Sequence, residues 1–318
     1  MKLVVLDSQA VNPGDLSWDW LKEFGEVAVY PRTPEEEVVP RIGDAEIVLI
    51  NKIAMTRQVL ERCPNLKLIC VQATGYNVVD CQATRELGIP VCNVPDYGTD
   101  AVAQFTMGLL LELCHQIGHH NRWVQAGNWC SHPDFCYWET PQMELSGKTM
   151  GIIGFGRIGR RVGELAKAFG MEVLAYSRSR TPEGEKIASY VPLEELLEKS
   201  QVLSLHCPLT PQTHKIINEN TLNKMQTGAI LLNTARGDLV EEAAVASALR
   251  AGKLRGYAAD VLSREPMSPE NPLLGAPNCI LTPHMAWAPV ESRRRIQRCT
   301  QDNIEAFLAG HPIHVVNP

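Results

Sequence analysis

Three glycines at G-x-G-x-x-G spacing, Gly154, Gly156 and Gly159, follow a short apolar segment near the middle of the chain. In such a motif the first glycine permits a tight turn, and the second lets the backbone approach a pyrophosphate. The third allows close packing of helix on strand, and the helix N-terminus offers N–H groups to the phosphates. The motif predicts a dinucleotide site that comprises Gly154, Gly156, Arg157, Ile158 and Gly159.

The same spacing also occurs in ordinary turns between a strand and a helix, so the flanking sequence decides between the two interpretations. Residues 161–169 have helical spacing, Gly170 ends that segment, and residues 171–176 are again strand-like. This βαβ pattern favours the dinucleotide site.

Three polar residues follow predicted strands in the same half of the chain. Arg236 can hold a carboxylate through two parallel hydrogen bonds. Glu265 and His284 form a carboxylate and imidazole combination, in which the carboxylate sets the tautomer and favours the protonated ring. An imidazolium at a carbonyl oxygen is what hydride reduction of a ketone requires. Taken one at a time, the three residues also fit a surface salt bridge, a solvated carboxylate and a structural histidine.

The elements that position these residues alternate between strand and helix. In the first hundred residues, strands are predicted at 2–7, 26–30, 45–50, 66–72 and 89–93, and helices at 18–24, 34–41, 56–63 and 78–87. Such alternation indicates a parallel sheet that is covered on both faces. This half has no glycine fingerprint, so we assign it to substrate binding or structure.

The second half predicts a six-stranded doubly wound sheet. Its later strands are expected at 202–205, 229–233, 256–261 and 280–282, and Asp238 has capping-box spacing for a helix at 240–251. Residues 101–114 are apolar on nearly every side and predict a deeply buried helix. A last helix at 289–309 follows the completed sheet and is expected to pack on the N-terminal domain.

We therefore expect an α/β protein with two doubly wound, Rossmann-like domains and an active-site cleft between them. The predicted substrate-binding domain is discontinuous and comprises residues 1–99 and 288–318, while residues 100–287 form the dinucleotide-binding domain.

An aromatic segment at residues 123–138 is predicted to be a loop, and two interpretations of it stand. It contains Trp123, Trp129, Phe135, Tyr137 and Trp138. It either packs on its own domain or forms a homodimer interface, part of which could reach the partner's active site.

Charge and cysteine content narrow the class of protein. A net charge of −6 does not favour nucleic acid or anionic membrane as a partner. No apolar run is long enough to span a bilayer, and residues 1–7 are better interpreted as a strand than as a signal peptide. The ten cysteines include no C-x-x-C, and Cys130, His132 and Cys136 fit no zinc pattern, so we expect reduced thiols, no metal and a cytoplasmic location.

Four segments together resemble the D-isomer-specific 2-hydroxyacid dehydrogenases. They are residues 154–159, Asn233-Thr-Ala-Arg-Gly237, Asp260-Val-Leu-Ser-Arg-Glu-Pro266 and Thr282-Pro-His-Met-Ala286. The resemblance covers essentially the whole chain. It implies that Arg236, Glu265 and His284 are catalytic. It also implies that a loop at residues 73–77 binds the substrate through Thr74 and Gly75, and that the cofactor contacts His206, Pro208, Thr213, Thr234 and Asp260.

Within the family, Phe135-Cys-Tyr-Trp138, Ala103-Gln-Phe105 and His284-Met-Ala-Trp287 are most similar to the D-glycerate dehydrogenase, or hydroxypyruvate reductase, branch. The expected reaction interconverts D-glycerate and hydroxypyruvate, with glyoxylate as a side substrate. A D-lactate-type or broad 2-ketoacid reductase is the alternative. A binding protein of the same fold that senses NAD(P), such as a corepressor, is the alternative from another class.

The cofactor prediction depends on one departure from the usual motif. An acidic residue normally follows the fingerprint by about 20 positions and binds the adenosine ribose. Here the strand ends in Tyr176-Ser177-Arg178-Ser179-Arg180, and the next acid is Glu183. A hydroxyl group with guanidinium groups suits a 2′-phosphate, so Ser177 and Arg178 favour NADP(H) over NAD(H).

Overall fold

The computed structural model describes residues Met1–Pro318, and the chain divides into two units. Unit 1 comprises Met1–Gly98 and Trp287–Pro318, and unit 2 comprises Thr99–Ala286. Each unit contains one sheet whose strands are all parallel. No helix is both long enough and apolar enough to cross a membrane.

Unit 1 has a five-stranded sheet in the order β2-β1-β3-β4-β5. The side chains of β3 and β4 are buried throughout, as expected for a parallel sheet covered on both faces. All five predicted strands are present, although each is shorter than the apolar segment that predicted it. They are β1 (Lys2–Val5), β2 (Glu26–Val29), β3 (Ile47–Ile50), β4 (Leu68–Val71) and β5 (Val91–Cys92).

The helices between the strands of unit 1 are short. Thr56 and Asp80 cap two of them, because their side chains accept hydrogen bonds from Val59 N and Ala83 N. The helix predicted at 18–24 is instead a 3₁₀ turn, Asp19–Glu23, and Gly25 at φ +146° follows it against the backbone of Met1. The α-helices are α1 (Ser8–Val11), α2 (Val38–Ile42), α3 (Arg57–Glu61) and α4 (Cys81–Glu86).

Unit 2 has seven strands in the order β12-β11-β10-β9-β6-β7-β8, so the prediction of six strands is wrong. The additional strand, β8, has only two residues and is too short for a periodic sequence signal. The strands are β6 (Thr149–Ile153), β7 (Glu172–Tyr176), β8 (Ser189–Tyr190), β9 (Val202–Leu205), β10 (Ala229–Asn233), β11 (Leu254–Ala259) and β12 (Cys279–Leu281). The strand order reverses between β6 and β9, and ligands of such sheets bind at this reversal, beyond the carboxyl ends of the strands.

Seven helices belong to unit 2. They are α5 (Thr99–His115), α6 (Ile117–Gln125), α7 (Arg157–Ala168), α8 (Pro182–Glu185), α9 (Leu193–Lys199), α10 (Glu219–Lys224) and α11 (Glu242–Arg250). Helix α5 is buried as predicted, and its Ala103, Met107 and Leu110 lie in the core beside Ile152 and Ile230.

Two local predictions for unit 2 are wrong. Trp123 lies in helix α6 and not in a loop, so the aromatic loop begins later than predicted. Asp238 does not cap α11, because residues Gly237–Leu239 form a separate 3₁₀ turn and the helix starts only at Glu242.

The last helix, α12 (Val290–Leu308), returns to unit 1. Its Ile304 and Phe307 pack against Leu68 and Cys70 of β4, while Ile296 packs near Val11 and Val94. The apolar face of α12 therefore completes the core of the N-terminal unit.

Candidate active site

The glycine turn after β6 is built by close backbone approach. Gly154 has φ +92°, and a β-carbon there would lie 2.3 Å from the backbone nitrogen of Cys207. A β-carbon on Gly159 would lie 2.2 Å from the carbonyl oxygen of Gly154. Both positions require glycine because neighbouring backbone occupies the space of a side chain.

Gly156 differs from the other two glycines because no atom lies within 4 Å of its would-be β-carbon. It precedes α7 in an extended conformation, and Arg157 and Ile158 form the first turn of that helix. The glycine therefore leaves an open space at a helix N-terminus, where N–H groups and the helix dipole favour an anion. This arrangement fits the pyrophosphate of a dinucleotide.

The end of β7 presents cations and no carboxylate. Arg178 is exposed and forms no hydrogen bond or ion pair, while Ser177 is half-buried beside it. The Arg180 guanidinium lies over the Tyr190 ring, 5.6 Å from its centroid. Arg178 is thus the guanidinium available to an anion at this strand end.

The segment after β9 contains three predicted cofactor residues. His206 lies 2.8 Å from the Ser204 hydroxyl, measured from Nε2 to Oγ, and burial lowers the pKa of His206 to about 3. The ring is therefore neutral at ordinary pH. The Thr213 hydroxyl donates to the carbonyl of Pro208 over 2.7 Å, so Thr213 shapes this segment.

Arg236 follows β10 in a turn that Asn233 organises. The buried Asn233 side chain donates to the carbonyl oxygen of Arg236 over 2.9 Å and accepts from Ala235 N over 3.1 Å. One guanidinium nitrogen of the exposed Arg236 donates to the Ala235 carbonyl, and the group forms no ion pair. The Thr234 hydroxyl lies 2.9 Å from that of Thr106 on α5.

Glu265 and His284 lie together although they are 19 positions apart. Glu265 Oε2 is 2.6 Å from His284 Nδ1, and Glu265 Oε1 accepts a hydrogen bond from Leu262 N over 2.9 Å. One carboxylate oxygen therefore faces the imidazole while the other is held by backbone. Both side chains are about one-third exposed, which leaves the pair accessible from solvent.

The loop that carries His284 is held by Asp260. This carboxylate is 1% exposed and accepts hydrogen bonds from the Thr282 hydroxyl, Met285 N and Ala286 N at 2.6, 2.9 and 2.8 Å. His284 itself has φ +52°, a conformation that few residues other than glycine adopt. Three bonds from flanking residues to one buried carboxylate hold the histidine in this conformation.

The sequence interpretation missed this role of Asp260, and it also missed Asn233 and Gly237 as contributors to the site. A β-carbon on Gly237 would lie 1.9 Å from the carbonyl carbon of Leu262. Asn233 and Gly237 belong to a segment that carries the family resemblance and follows a predicted strand, but neither signal reveals a contact with a distant loop.

The structure brings Arg236, Glu265 and His284 to segments that follow β10, β11 and β12, which are neighbours in the sheet of unit 2. Thr74 and Gly75 belong to unit 1 and follow β4. There the Thr74 hydroxyl donates to the Val94 carbonyl over 2.8 Å. The backbone carbonyl of Thr74 accepts a hydrogen bond from the Asn93 side chain over 2.9 Å.

Comparisons with known proteins identify the family to which the chain is similar. The family model described as "D-isomer specific 2-hydroxyacid dehydrogenase, NAD binding domain" matches residues 107–286. The chain is 52% identical to a hydroxypyruvate reductase of Blautia hydrogenotrophica over the full length of both proteins. It is 40% identical to a glycerate dehydrogenase of Methylorubrum extorquens, over 99% of this chain and 98% of the relative.

Solved structures show the same likeness. The apo-structure of D-lactate dehydrogenase from Escherichia coli has a TM-score of 0.86 and 29% identity, with 98% of each chain covered. An acyclic imino acid reductase in complex with NADPH and D-Arg has a TM-score of 0.85 and 32% identity, over 99% of this chain and 100% of the other. This chain therefore belongs to the family of D-isomer-specific 2-hydroxyacid dehydrogenases, whose nicotinamide-binding domain it contains.

Proposed function

We propose that this protein reduces hydroxypyruvate to D-glycerate, with glyoxylate as a secondary substrate. The contact between Glu265 and His284, on the segments that follow β11 and β12, is the observation that carries the proposal. The similarity to a hydroxypyruvate reductase and a glycerate dehydrogenase supports the choice of substrate.

Arg236, Glu265 and His284 have complementary roles in this proposal. The Arg236 guanidinium binds the substrate carboxylate, because it is exposed and has no carboxylate partner in the protein. Since Nδ1 of His284 faces Glu265, the proton for the keto oxygen is carried on Nε2. When bound, the reduced nicotinamide supplies the hydride to the keto carbon. His284 loses its proton as the carbonyl oxygen becomes a hydroxyl, and the adjacent carboxylate stabilises the protonated ring before transfer.

Unit 2 is proposed as the dinucleotide-binding domain and unit 1 as the substrate-binding domain. The dinucleotide would be held by the turn from Gly154 to Gly159 and by the segments that contain His206, Pro208, Thr213, Thr234 and Asp260. In unit 1, the backbone N–H groups near Thr74 and Gly75 are suited to the substrate carboxylate, because they follow a parallel strand.

The preferred cofactor is proposed to be NADPH. Ser177 and the unpaired Arg178 follow β7 where an NAD-specific site normally has an acid. A guanidinium without a protein partner is the group that a 2′-phosphate would pair with. Comparison of kcat/KM for NADPH and NADH tests this directly, and a strong preference for NADH would refute it.

The aromatic loop after α6 is proposed to form a homodimer interface, part of which reaches the partner's active site. Phe135 is 88% exposed and Trp138 is 66% exposed, whereas the loop is held internally by the bond from Trp129 Nε1 to the Phe135 carbonyl. His132 also stacks on Tyr137, with ring centroids 4.3 Å apart. An ordered loop with exposed aromatic side chains is typical of a protein interface.

Sedimentation analysis tests the homodimer. Wild-type protein should have the mass of a dimer, and Phe135→Asp should shift the distribution toward monomer. Leu87→Asp, at an exposed leucine of unit 1, is the matched control and should remain dimeric. Monomeric wild-type protein would contradict the proposal.

The function itself is tested by NAD(P)H oxidation with a panel of keto acids. Hydroxypyruvate should give the highest kcat/KM, followed by glyoxylate, with pyruvate lower. A higher value for pyruvate would favour the D-lactate-type alternative. Absence of turnover with every keto acid, despite cofactor binding, would favour a dinucleotide-sensing protein.

A further inference from the structure

Glu242 bridges two points of the loop that contains Glu265. It is the first residue of α11, and its Oε1 accepts a hydrogen bond from Ser263 N over 2.9 Å. Its Oε2 accepts from the Asn271 side chain, also over 2.9 Å. These are the only hydrogen bonds of the Glu242 side chain, so both of its oxygens are used to hold this one loop.

The two anchor points lie on either side of Glu265. Ser263 directly follows Leu262, whose N–H holds the Glu265 carboxylate. Asn271 is buried and accepts a hydrogen bond from Leu273 N over 3.0 Å, so it is itself fixed to the chain beyond the loop. A loop held at both ends presents its middle with less freedom, and Glu265 lies between the two anchors.

We propose that Glu242 is a positioning residue, which fixes the loop so that Glu265 faces Nδ1 of His284. Glu242 forms no hydrogen bond or ion pair with Glu265 or His284, so it acts through the loop backbone. The inference rests on the proposed catalytic roles of Glu265 and His284. If so, the geometry of the Glu265–His284 contact depends on the Glu242 carboxylate at the start of α11.

A purely structural role for Glu242 makes different predictions. An acidic residue in the first turn stabilises a helix through its interaction with the helix dipole. Loss of that interaction alone would lower the unfolding midpoint and leave the pH dependence of catalysis unchanged. A positioning role requires that the pH profile and kcat change, and that these changes require an intact Glu265.

The experiment uses Glu242→Gln, Glu242→Ala and the control Glu241→Gln in the full chain. Glu241 is adjacent, and its carboxylate lies 3.9 Å from Lys215 Nζ and forms no hydrogen bond with the loop. We expect Glu242→Ala to lower kcat about tenfold, a size typical of coupling between residues that share one hydrogen-bond network, with NADPH affinity unchanged. The alkaline fall of kcat/KM should begin at lower pH. Glu242→Gln, which retains an acceptor for Ser263 N, should lose less, and Glu241→Gln should match wild type.

The decisive comparison repeats Glu242→Gln and Glu242→Ala in a Glu265→Gln background. If Glu242 acts through Glu265, neither substitution lowers kcat further in that background. An equal loss of kcat in both backgrounds, or a lower unfolding midpoint with an unchanged pH profile, would overturn the inference. If Glu242→Ala does not fold, Glu242→Gln decides alone. Wild-type turnover in Glu265→Gln itself would instead contradict the proposed function.

Discussion

Gly237 and Leu262 are in direct backbone contact, so close that a β-carbon on the glycine would lie 1.9 Å from the carbonyl carbon of the leucine. Gly237 directly follows Arg236, and Leu262 N–H holds the carboxylate of Glu265. The contact therefore joins the turn that carries the proposed substrate-binding guanidinium to the loop that carries the proposed carboxylate. The relative position of the Arg236 and Glu265 side chains therefore depends on glycine at position 237.

Gly237→Ala should destabilise the protein by about 3 kcal/mol or more, because the new β-carbon would clash with the backbone of Leu262 and Ser263 and not with a flexible side chain. Urea unfolding measures the effect. Gly108→Ala is the control, since Gly108 lies in α5 with no atom within 4 Å of its would-be β-carbon. That control should be neutral or stabilising, and a Gly237→Ala variant as stable as Gly108→Ala would contradict the contact.

Gly154→Ala and Gly156→Ala should have opposite consequences. Gly154→Ala should impair folding, because φ is +92° and the Cys207 backbone is 2.3 Å away. Gly156→Ala should fold normally but weaken NADPH binding about tenfold or more, since its open space is where the pyrophosphate would lie. Unfolding midpoints and cofactor titration separate the two effects. Unchanged NADPH affinity in Gly156→Ala would exclude this turn as the phosphate site.

Arg178→Ala should lower kcat/KM for NADPH by about 10- to 100-fold, the range expected for loss of a charge-assisted hydrogen bond of about 1.5–3 kcal/mol. The value for NADH should change little, and it serves as the internal control because NADH lacks the 2′-phosphate. Equal losses with both cofactors would show that Arg178 does not discriminate between them.

The partly buried imidazole of His206 makes the free energy of unfolding decrease at acid pH. Its pKa is about 3 in the folded protein, against an ordinary value near 6.5, because burial disfavours the charged ring. Because the folded protein binds this proton more weakly than the unfolded chain, the contribution of neutral His206 to the free energy of unfolding is fully present above pH 6.5. It is lost as the pH falls toward 3. Between pH 7 and pH 5, wild type should lose about 1–2 kcal/mol more than His206→Gln. Urea unfolding at the two pH values measures these losses. If wild type and His206→Gln lose the same free energy of unfolding, the prediction is wrong.

The positions of the proposed catalytic residues in the fold were predictable, because each has a chemical type and a place in the chain that carry information. Arg236, Glu265 and His284 follow apolar strand segments, and the carboxyl ends of neighbouring parallel strands meet at one edge of a sheet. Their grouping in unit 2 therefore follows from a local pattern and the fold class.

The residues that support the site could not be predicted in this way, because their roles depend on contacts with distant parts of the chain. Gly237 and Glu242 matter because of contacts with residues 21 to 29 positions away, such as the bonds from Glu242 to Ser263 and Asn271. Asp260 is predicted to contact the cofactor, and its buried oxygens also hold the loop around His284, a role that the sequence did not indicate. Such roles depend on the path of a loop in space, which periodicity and residue type do not encode. Strand β8 was missed because two residues carry no period.

The most direct test of the proposed mechanism is kcat for hydroxypyruvate reduction in His284→Ala, measured with the Kd for NADPH of the same protein. We predict that kcat falls by about 10²- to 10⁴-fold, the usual effect of removing a general acid, while the Kd for NADPH stays within about twofold of wild type. A kcat close to that of wild type would contradict the assignment of His284 as the proton donor.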